Sequence, residues 1–328
     1  MIVLSRNNLI LLLKMNDVMN VIETAFNELA QGSASIPPRT IINIEKENGS
    51  MLFMPSYLSK SGSLAIKSAG MYKENPKKYN LPTIMASLIL LDHKTGEPLC
   101  LMDGSYITAI RTAAASGLAA KYLAREDSTT IGIIGAGVQA ETQVLAMMQI
   151  RPIKKILVYD IISDKIKSFI SSLSEKVSCG FEAVKNPDNL LEKSDIVITS
   201  TTSKTPVFTG TKLKPGTHIS SIGWVGTNGR ELDTYTVEKC KLVVDTMDGV
   251  LSESGDILIP IKEGKITKDH IWCELKDLTS GAKKGRTSNK ELTLWKSVGL
   301  AIEDAATAQL AYQKAHEFGI GTPIQLYE

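Results

Sequence analysis

Apolar residues recur at helical spacing near the start of the chain, and the period then changes. Ser5 is placed to cap a short helix, and a second helix is predicted to begin at Asp17 and to end near Gly32. Its apolar face consists of Val18, Val21, Ile22, Ala25, Phe26 and Leu29. From about residue 36 to 102 the pattern becomes short apolar or β-branched runs separated by Pro, Gly and Asn, which predicts an antiparallel sheet with a hairpin turn at "DHKTGEP".

Strands and helices alternate in the second part of the chain. An Ala-rich helix is predicted over 103–124, with Asp103 or Ser105 as its cap. The strand candidates that follow are "TIGIIG", "KILVYD", "CGFEAV", "DIVITST", "THISSIG" and "KLVVD". Helical segments at 138–149 and 163–176 separate the first of them, and a last helix covers about 299–317. The alternation predicts an α/β fold, a Rossmann-type doubly wound parallel sheet, joined to a discontinuous β-rich domain. We expect 1–118 and 305–328 to form the β-rich domain and 119–304 the Rossmann domain.

Composition excludes several classes of protein. A chain with 43% hydrophobic and 22% charged residues is an ordinary globular protein, and a net charge of +2 predicts neither a nucleic-acid nor a membrane partner. The longest apolar runs are too short to cross a membrane. The four cysteines form no CxxC pair and the four histidines no metal-binding spacing, so we expect no metal and reduced thiols in a cytoplasmic protein.

The stretch "GIIGAGVQA" predicts a dinucleotide site. Gly135 permits a sharp turn after the strand, Gly137 allows a pyrophosphate to approach the backbone, and Ala140 allows the helix to pack closely on the strand. Asp160 ends the next predicted strand, where a carboxylate hydrogen-bonds the adenosine ribose and repels a 2′-phosphate. The sequence therefore favours NAD, while nearby lysines leave NADP possible.

Three cationic residues are candidates for binding an acidic substrate beside the nicotinamide. They are Arg39 after two prolines, Lys67 in "LAIKSAG", and Arg111 in an otherwise apolar helix, where a charge is costly unless it is paired. Arginine offers a planar fork that fits a carboxylate. Each of the three is also compatible with a plain surface or salt-bridged residue.

These cations lie in motifs that resemble the ornithine cyclodeaminase/μ-crystallin family nearly from end to end. The motifs include "SMLFMPSYL", "LAIK", "MDGSYITAIRTAAASG", "GIIGAGVQA", "SESGDI" and "LTLWKSVGLAIEDAATA". The resemblance implies a substrate-binding and dimerisation domain attached to a Rossmann domain, a homodimer, and an NAD(P)-dependent activity on amino or imino acids. It also implies that Arg39 and Arg111 hold the substrate carboxylate and that Lys67 is catalytic and lies near the reacting carbon. The cofactor contacts that it implies are Thr83, Arg111, Thr112, Gly135, Ala136, Gly137, Val138, Gln139, Asp160, Thr201, Val225 and Ser297.

The chain departs from the cyclodeaminase pattern at three positions. Leu52 and Val225 stand where that pattern has carboxylates, and Gly229 stands where it has a lysine. Loss of ammonia needs groups that move protons, whereas reduction of a ready-made cyclic imine needs fewer. The departures favour an NAD(P)H-dependent reductase of the Δ1-pyrroline-2-carboxylate or Δ1-piperideine-2-carboxylate type, which would form L-proline or L-pipecolate. Alanine dehydrogenase, ornithine cyclodeaminase and a non-enzymatic NAD(P)-dependent ligand-binding protein are the alternatives.

Four acidic residues in the same motifs have other expected roles. Asp233 is predicted to cap a helix. Asp256, in "SESGDI", is a candidate for a mobile loop near the cofactor or for a plain surface residue. Glu303 and Asp304 in "AIEDAA" are expected to be structural.

Overall fold

The computed structural model describes residues 1–326 and contains two β-sheets with helices packed on them. The first elements are β1 (Ile2–Leu4), α1 (Arg6–Leu12), α2 (Met15–Ala30), β2 (Ala34–Ser35), β3 (Thr40–Ile44), β4 (Gly49–Leu58), β5 (Ser63–Tyr72), α3 (Asn75–Lys78), β6 (Ile84–Leu91), β7 (Pro98–Asp103) and α4 (Gly104–Leu123). The next are β8 (Thr130–Ile134), α5 (Val138–Ile150), β9 (Lys155–Tyr159), α6 (Ser163–Ser174), β10 (Gly180–Ala183), α7 (Pro187–Leu191), β11 (Ile196–Thr199), β12 (His218–Ser221) and α8 (Thr234–Lys239). The last are β13 (Lys241–Val244), α9 (Met247–Glu253), α10 (Gly255–Lys262), β14 (Ile271–Glu274), α11 (Leu275–Thr279), β15 (Thr293–Lys296), α12 (Ala301–Phe318) and β16 (Thr322–Pro323).

The chain divides into two compact units. Unit 1 comprises Met1–Arg111 and the described residues from Leu300 onward, and unit 2 comprises Thr112–Gly299. The divisions at 111/112 and 299/300 lie a few residues before the predicted ones, which fall inside α4 and α12. Neither division coincides with a Pro- or Gly-rich linker, so composition gives no signal for it.

Helix starts in unit 1 follow local capping chemistry. The Ser5 hydroxyl accepts a hydrogen bond from the Asn8 backbone N–H, as its predicted cap role requires. Helix α2 begins two residues before the predicted start, because Asp17 occupies its first turn, where a carboxylate favours the helix dipole, and does not cap it. Asp103 is the cap of α4, since its Oδ1 accepts from the backbone N–H groups of Ser105 (2.7 Å) and Tyr106 (3.1 Å).

The sheet of unit 1 has the order β16-β1-β7-β6-β5-β4-β2, with β3 also paired to β4. The pairs from β3 to β7 are antiparallel, as predicted, and the hairpin between β6 and β7 is confirmed. Side chains alternate between the two faces of a strand. One face is buried in a continuous row across five strands, formed by Met54, Lys67, Leu88, Met102 and Leu4. Helix α12 packs on β4 and β5.

The opposite face of this sheet also carries an apolar row. Pro55, Ile66, Ile89, Leu101 and Val3 are paired in register across the same five strands. None of these five side chains is buried, and Ile89 is 37% exposed. We call this surface the open sheet face.

The sheet of unit 2 has eight parallel strands in the order β10-β9-β8-β11-β12-β15-β13-β14. The order reverses between β8 and β11, which is the switch point of a doubly wound sheet. All six predicted strands are present, whereas β14 and β15 were not predicted. Buried apolar clusters pack on both faces of the sheet, and the predicted fold class is confirmed. No helix within residues 1–326 combines the length and the apolar character that crossing a bilayer requires.

Candidate active site

The glycine loop of unit 2 connects β8 to α5 with a backbone that only glycine adopts easily. Gly135 has φ +96°, and a Cβ there would lie 2.8 Å from the Ser200 carbonyl oxygen. Its N–H donates to the Tyr159 carbonyl at 2.9 Å, so the turn is fixed to the end of β9. The predicted turn is therefore built as a tight strand-to-helix connection.

The first turn of α5 has the features of an anion site. Gly137 is its N-cap and has no side chain to occupy the free N–H groups, and a Cβ there would meet nothing within 4 Å. Val138 points its side chain outward and is 70% exposed, and Ala140 is fully buried against the sheet. The Oε1 atom of Gln139 is buried without a hydrogen-bond partner. Open space over free N–H groups at a helix start suits a pyrophosphate.

Asp160 follows β9, and its carboxylate holds the glycine loop. Oδ2 accepts from the Ala136 N–H at 2.9 Å, and Oδ1 accepts from the Ile162 N–H at 2.8 Å. Each carboxylate oxygen keeps a second lone pair that can accept from a ribose hydroxyl. The neighbouring Ile161 is 88% exposed, so an apolar side chain lies uncovered next to Asp160, a feature that no sequence motif marks.

Three further predicted cofactor residues follow the carboxyl ends of neighbouring strands in unit 2. Thr201 follows β11, Val225 follows β12 and is 43% exposed, and Ser297 follows β15 and is buried. In open α/β sheets ligands bind at this edge. Thr112 lies partly buried on α4, whereas Thr83 belongs to unit 1, where its carbonyl accepts from the Tyr72 N–H.

In unit 1 the buried Lys67 meets a carboxylate from the last helix. Its Nζ lies 2.7 Å from Oδ2 of Asp304 and donates to Oγ1 of Thr108 at 3.3 Å. Arg111 joins the same cluster through Nε to Asp304 (3.0 Å) and through Nη1 to Glu303 (2.7 Å). All four charged side chains are at least nine-tenths buried. Glu303 and Asp304, which are expected to be structural, therefore form buried ion pairs with the two cations.

Burial and charge act in opposite directions on this cluster. Burial, opposed by Asp304 and assisted by the Arg111 charge, lowers the pKa of Lys67 to about 8. Burial also opposes the charge of Arg111, but Asp304 and Glu303 outweigh it and raise the pKa of the guanidinium. Lys67 is therefore able to exchange a proton near neutral pH, while Arg111 stays charged.

Arg39 is partly exposed and directly precedes β3. Strand β3 pairs Thr40 with Phe53, so continuing the register by one residue aligns Arg39 with Met54, which pairs with Lys67. Residues of one such row point to the same face, and two strand spacings amount to about 10 Å. This alignment puts Arg39 on the face of the sheet that carries Lys67.

Of the positions that depart from the cyclodeaminase pattern, Leu52 and Val225 carry apolar side chains, and Gly229 lies too close to its neighbours for a side chain. Leu52 pairs with Ala69, so it lies on the Lys67 face, diagonal to Lys67. At Gly229 a Cβ would lie 2.7 Å from the Trp224 ring, so the fold leaves no room for a lysine there. Within residues 1–326 no group of three or more His, Cys, Asp or Glu side chains is arranged to hold a metal ion.

The fold and the glycine loop define a dinucleotide-binding protein of the Rossmann class. The model of the ornithine cyclodeaminase/mu-crystallin family matches residues 1–319, so the chain belongs to this family, as its motifs predict. The structure is similar to that of the Δ1-pyrroline-2-carboxylate reductase of Thermococcus litoralis in complex with NADH and L-proline, with 54% identity, a TM-score of 0.96, and coverage of 99% of this chain and 100% of that one.

Two curated relatives have different names. A Δ1-pyrroline-2-carboxylate reductase of Bacillus cereus is 36% identical over 326 residues, covering 99% of this chain and 100% of its own. The alanine dehydrogenase of Archaeoglobus fulgidus is 35% identical over 326 residues, covering 99% of this chain and 98% of its own.

Proposed function

We propose that the protein is an NAD(P)H-dependent reductase of a small cyclic 2-imino acid, of the Δ1-pyrroline-2-carboxylate or Δ1-piperideine-2-carboxylate type, with an L-amino acid such as L-proline as its product. The observation that carries the proposal is the buried Lys67, whose pKa is about 8 beside the permanently charged Arg111. The 54% identity to a reductase of this kind supports the same substrate class.

The residues of unit 1 have two roles in this proposal. Arg111 and Arg39 bind the substrate carboxylate, since guanidinium groups form paired hydrogen bonds with it. Protonated Lys67 donates to the ring nitrogen, so that the imine carbon becomes electrophilic, and Asp304 stabilises the ammonium form until the proton leaves. Reduction of the C=N bond consumes this proton and one hydride, and the bound nicotinamide supplies the hydride.

The residues of unit 2 bind the cofactor in this proposal. The loop from Gly135 to Gln139 holds the pyrophosphate, and Asp160 accepts from the ribose hydroxyls and favours NAD over NADP. The remaining proposed contacts are Thr83, Arg111, Thr112, Thr201, Val225 and Ser297.

The alternatives differ in the acid groups that they need. A cyclodeaminase must move protons during the loss of ammonia, and Leu52 and Val225 offer none at the two positions concerned. Alanine dehydrogenase remains the second candidate, because the Archaeoglobus fulgidus relative is nearly as similar as the Bacillus cereus reductase. A protein that only binds its ligand would have no use for a buried lysine whose pKa of about 8 allows it to exchange a proton near neutral pH.

A substrate panel with NADH and NADPH tests the proposal. We expect the cyclic imines to be reduced at least tenfold faster than pyruvate with ammonia, and ornithine to remain unchanged. Lys67→Ala is expected to abolish turnover and to leave NADH binding intact, with Lys94→Ala on the exposed hairpin as the matched control. Turnover of ornithine to proline without reduction of the imines would contradict the proposal.

We also propose that the protein is a cytoplasmic homodimer. The open sheet face supports the dimer, because its five-strand apolar row is uncovered in the single chain and a second copy would bury it. The thiols support the location, since the four cysteines, all within the described residues, form no disulfides, which suits a reducing compartment.

A further inference from the structure

We propose that Glu231 is a positioning residue for the nicotinamide half of the cofactor site. The inference rests on the proposed function, because it assumes that a dinucleotide binds at the carboxyl edge of the unit 2 sheet. In a doubly wound sheet each half binds one mononucleotide, and the loops after β11 and β12 belong to the half that does not carry the glycine loop. Both loops depend on the Glu231 carboxylate.

The carboxylate of Glu231 is fully buried and accepts hydrogen bonds from both loops. Oε1 accepts from the backbone N–H (2.6 Å) and the hydroxyl (2.8 Å) of Thr201, after β11. Oε2 accepts from the backbone N–H groups of Gly223 (2.9 Å) and Trp224 (3.3 Å), after β12, and from the Thr199 hydroxyl (3.0 Å) at the end of β11. A single side chain therefore sets the spacing of the two loops that carry Thr201 and Val225.

The two loops meet so closely that a side chain at Gly223 would not fit between them. A Cβ there would lie 2.3 Å from the Thr201 backbone nitrogen and 2.5 Å from Oε1 of Glu231. The carboxylate thus fills the space between the loops at this point, and a change in its hydrogen bonds must move one loop relative to the other.

A buried ion pair holds Glu231 itself in place. Oδ1 of Asp256 accepts from the backbone N–H groups of Glu231 (2.8 Å) and Leu232 (2.9 Å), and its Oδ2 lies 2.7 Å from Nζ of Lys296. Lys296 also donates to the Trp224 carbonyl at 3.0 Å. Asp256 is fully buried, so the expectation of a mobile-loop or surface residue is wrong, and its role is to fix the segment that carries Glu231.

Glutamate is required here because all of its hydrogen-bonding partners are donors. Burial raises the pKa of the Glu231 carboxyl, but backbone N–H groups donate to both of its oxygens and so require it to accept on both sides, whereas a glutamine amide would turn an NH₂ group against the N–H groups of one loop. Glu231→Gln keeps the volume and reverses half of the hydrogen bonding. It is therefore a direct test of positioning.

The matched control is Asp195→Asn. Asp195 is 6% exposed and accepts from the backbone N–H groups of Thr129 (2.8 Å) and Thr130 (3.0 Å), but it lies before β11, at the opposite edge of the sheet. The readouts are KM for NADH, kcat for imine reduction, the kinetic isotope effect with NADH deuterated at the transferred position, and the thermal unfolding midpoint.

We expect Glu231→Gln to raise KM for NADH by about tenfold and to increase the isotope effect, because a displaced nicotinamide slows the hydride step. Asp195→Asn should lower the unfolding midpoint and leave KM and the isotope effect within about twofold of the original values. If both variants lose only thermal stability, Glu231 is merely structural and the inference is overturned, while the activity of the unaltered enzyme still supports the proposed function. If the unaltered protein neither binds NADH nor reduces imines, the proposed function fails instead.

Thr199→Val keeps the test decisive if Glu231→Gln does not fold. It removes one hydrogen bond to Oε2 with almost no change in shape, and Thr199 is fully buried within the sheet. KM for NADH should rise about threefold, and an unchanged KM would overturn the inference.

Discussion

Asp304→Asn tests the proton-donor role of Lys67 by removing the charge that opposes the effect of burial. The ammonium lies 2.7 Å from the carboxylate, and the pKa of Lys67 is about 8 with this partner in place. Two unit charges about 4 Å apart interact by about 4 kcal/mol at an effective dielectric constant of about 20. One pKa unit corresponds to about 1.4 kcal/mol, so the loss of the Asp304 charge should lower the pKa of Lys67 by roughly two to three units. We expect the pKa of Lys67 in the variant to fall to about 6 or below.

The sign of the effect on activity follows from the role of the proton. Lys67 donates only when it is protonated, and it is protonated below its pKa. The rate of imine reduction should therefore decline above about pH 8 in the unaltered enzyme, and already above about pH 6 in Asp304→Asn. Initial rates of NADH oxidation, measured at low substrate between about pH 5 and about pH 10, give this profile as kcat/KM.

Glu303→Gln is the matched control, because Glu303 pairs with Arg111 and contributes less than Asp304 to the pKa of Lys67. The alkaline limb of the kcat/KM profile of Glu303→Gln should move by much less than that of Asp304→Asn. An unchanged profile in Asp304→Asn, or equal shifts in the two variants, would refute the reasoning. Breaking a buried ion pair costs about 3–5 kcal/mol of stability, so either variant can lose part of its folded population. Thermal unfolding of both variants shows whether they are folded when the pH profiles are compared.

Three further predictions concern the cofactor loop and the open sheet face. Gly137→Ala should fold normally and weaken NADH binding about tenfold, whereas Gly135→Ala should lower the free energy of unfolding by about 1–3 kcal/mol; thermal unfolding and NADH titration distinguish them. Asp160→Ala should weaken NADH binding more than NADPH binding, because both cofactors lose the contacts that hold the glycine loop but only NADPH is relieved of the repulsion between this carboxylate and its 2′-phosphate; an unchanged preference between the two cofactors would contradict the selectivity role. Ile89→Glu should convert the proposed dimer into monomers in sedimentation, and Lys94→Glu on the hairpin should leave the mass unchanged.

The backbone of the proposed adenosine half of the cofactor site could be predicted from the sequence because its information is local. The strand, the turn at Gly135, the helix start at Gly137 and the acid at Asp160 lie within one strand–helix–strand segment, and each has its own conformational or hydrogen-bonding reason. The cap roles of Ser5 and Asp233 are local for the same reason and are both confirmed.

The charged cluster of unit 1 could not be predicted from local sequence information. Arg111 and Asp304 are 193 residues apart, and only the packing of α12 on the sheet brings them together. A signal was nevertheless present, because two adjacent acids in the Ala-rich first half of α12 must find cationic partners if that part of the helix is buried. The cost of an unpaired buried charge that marks Arg111 marks Glu303 and Asp304 in the same way.

Glu231 and the strand β15 were missed for a different reason. The hydrogen-bond donors to the Glu231 carboxylate are backbone N–H groups and hydroxyls, so no cationic residue in the sequence stands out as its partner. Strand β15 has only four residues and is buried on both faces, so it shows no alternation of apolar and polar positions.

Helix α12 belongs to unit 1 but follows unit 2 in the chain, so unit 1 is complete only after unit 2 has been synthesised. The ribosome releases residues 1–111 and then all of unit 2 before it releases the helix that carries Glu303 and Asp304. Until then Lys67 and Arg111 lack the two acids that neutralise them, and β1 lacks its partner strand β16. Unit 2 is contiguous, so its chain is complete before that of unit 1, whose native contacts with α12 can form only after unit 2 has been synthesised.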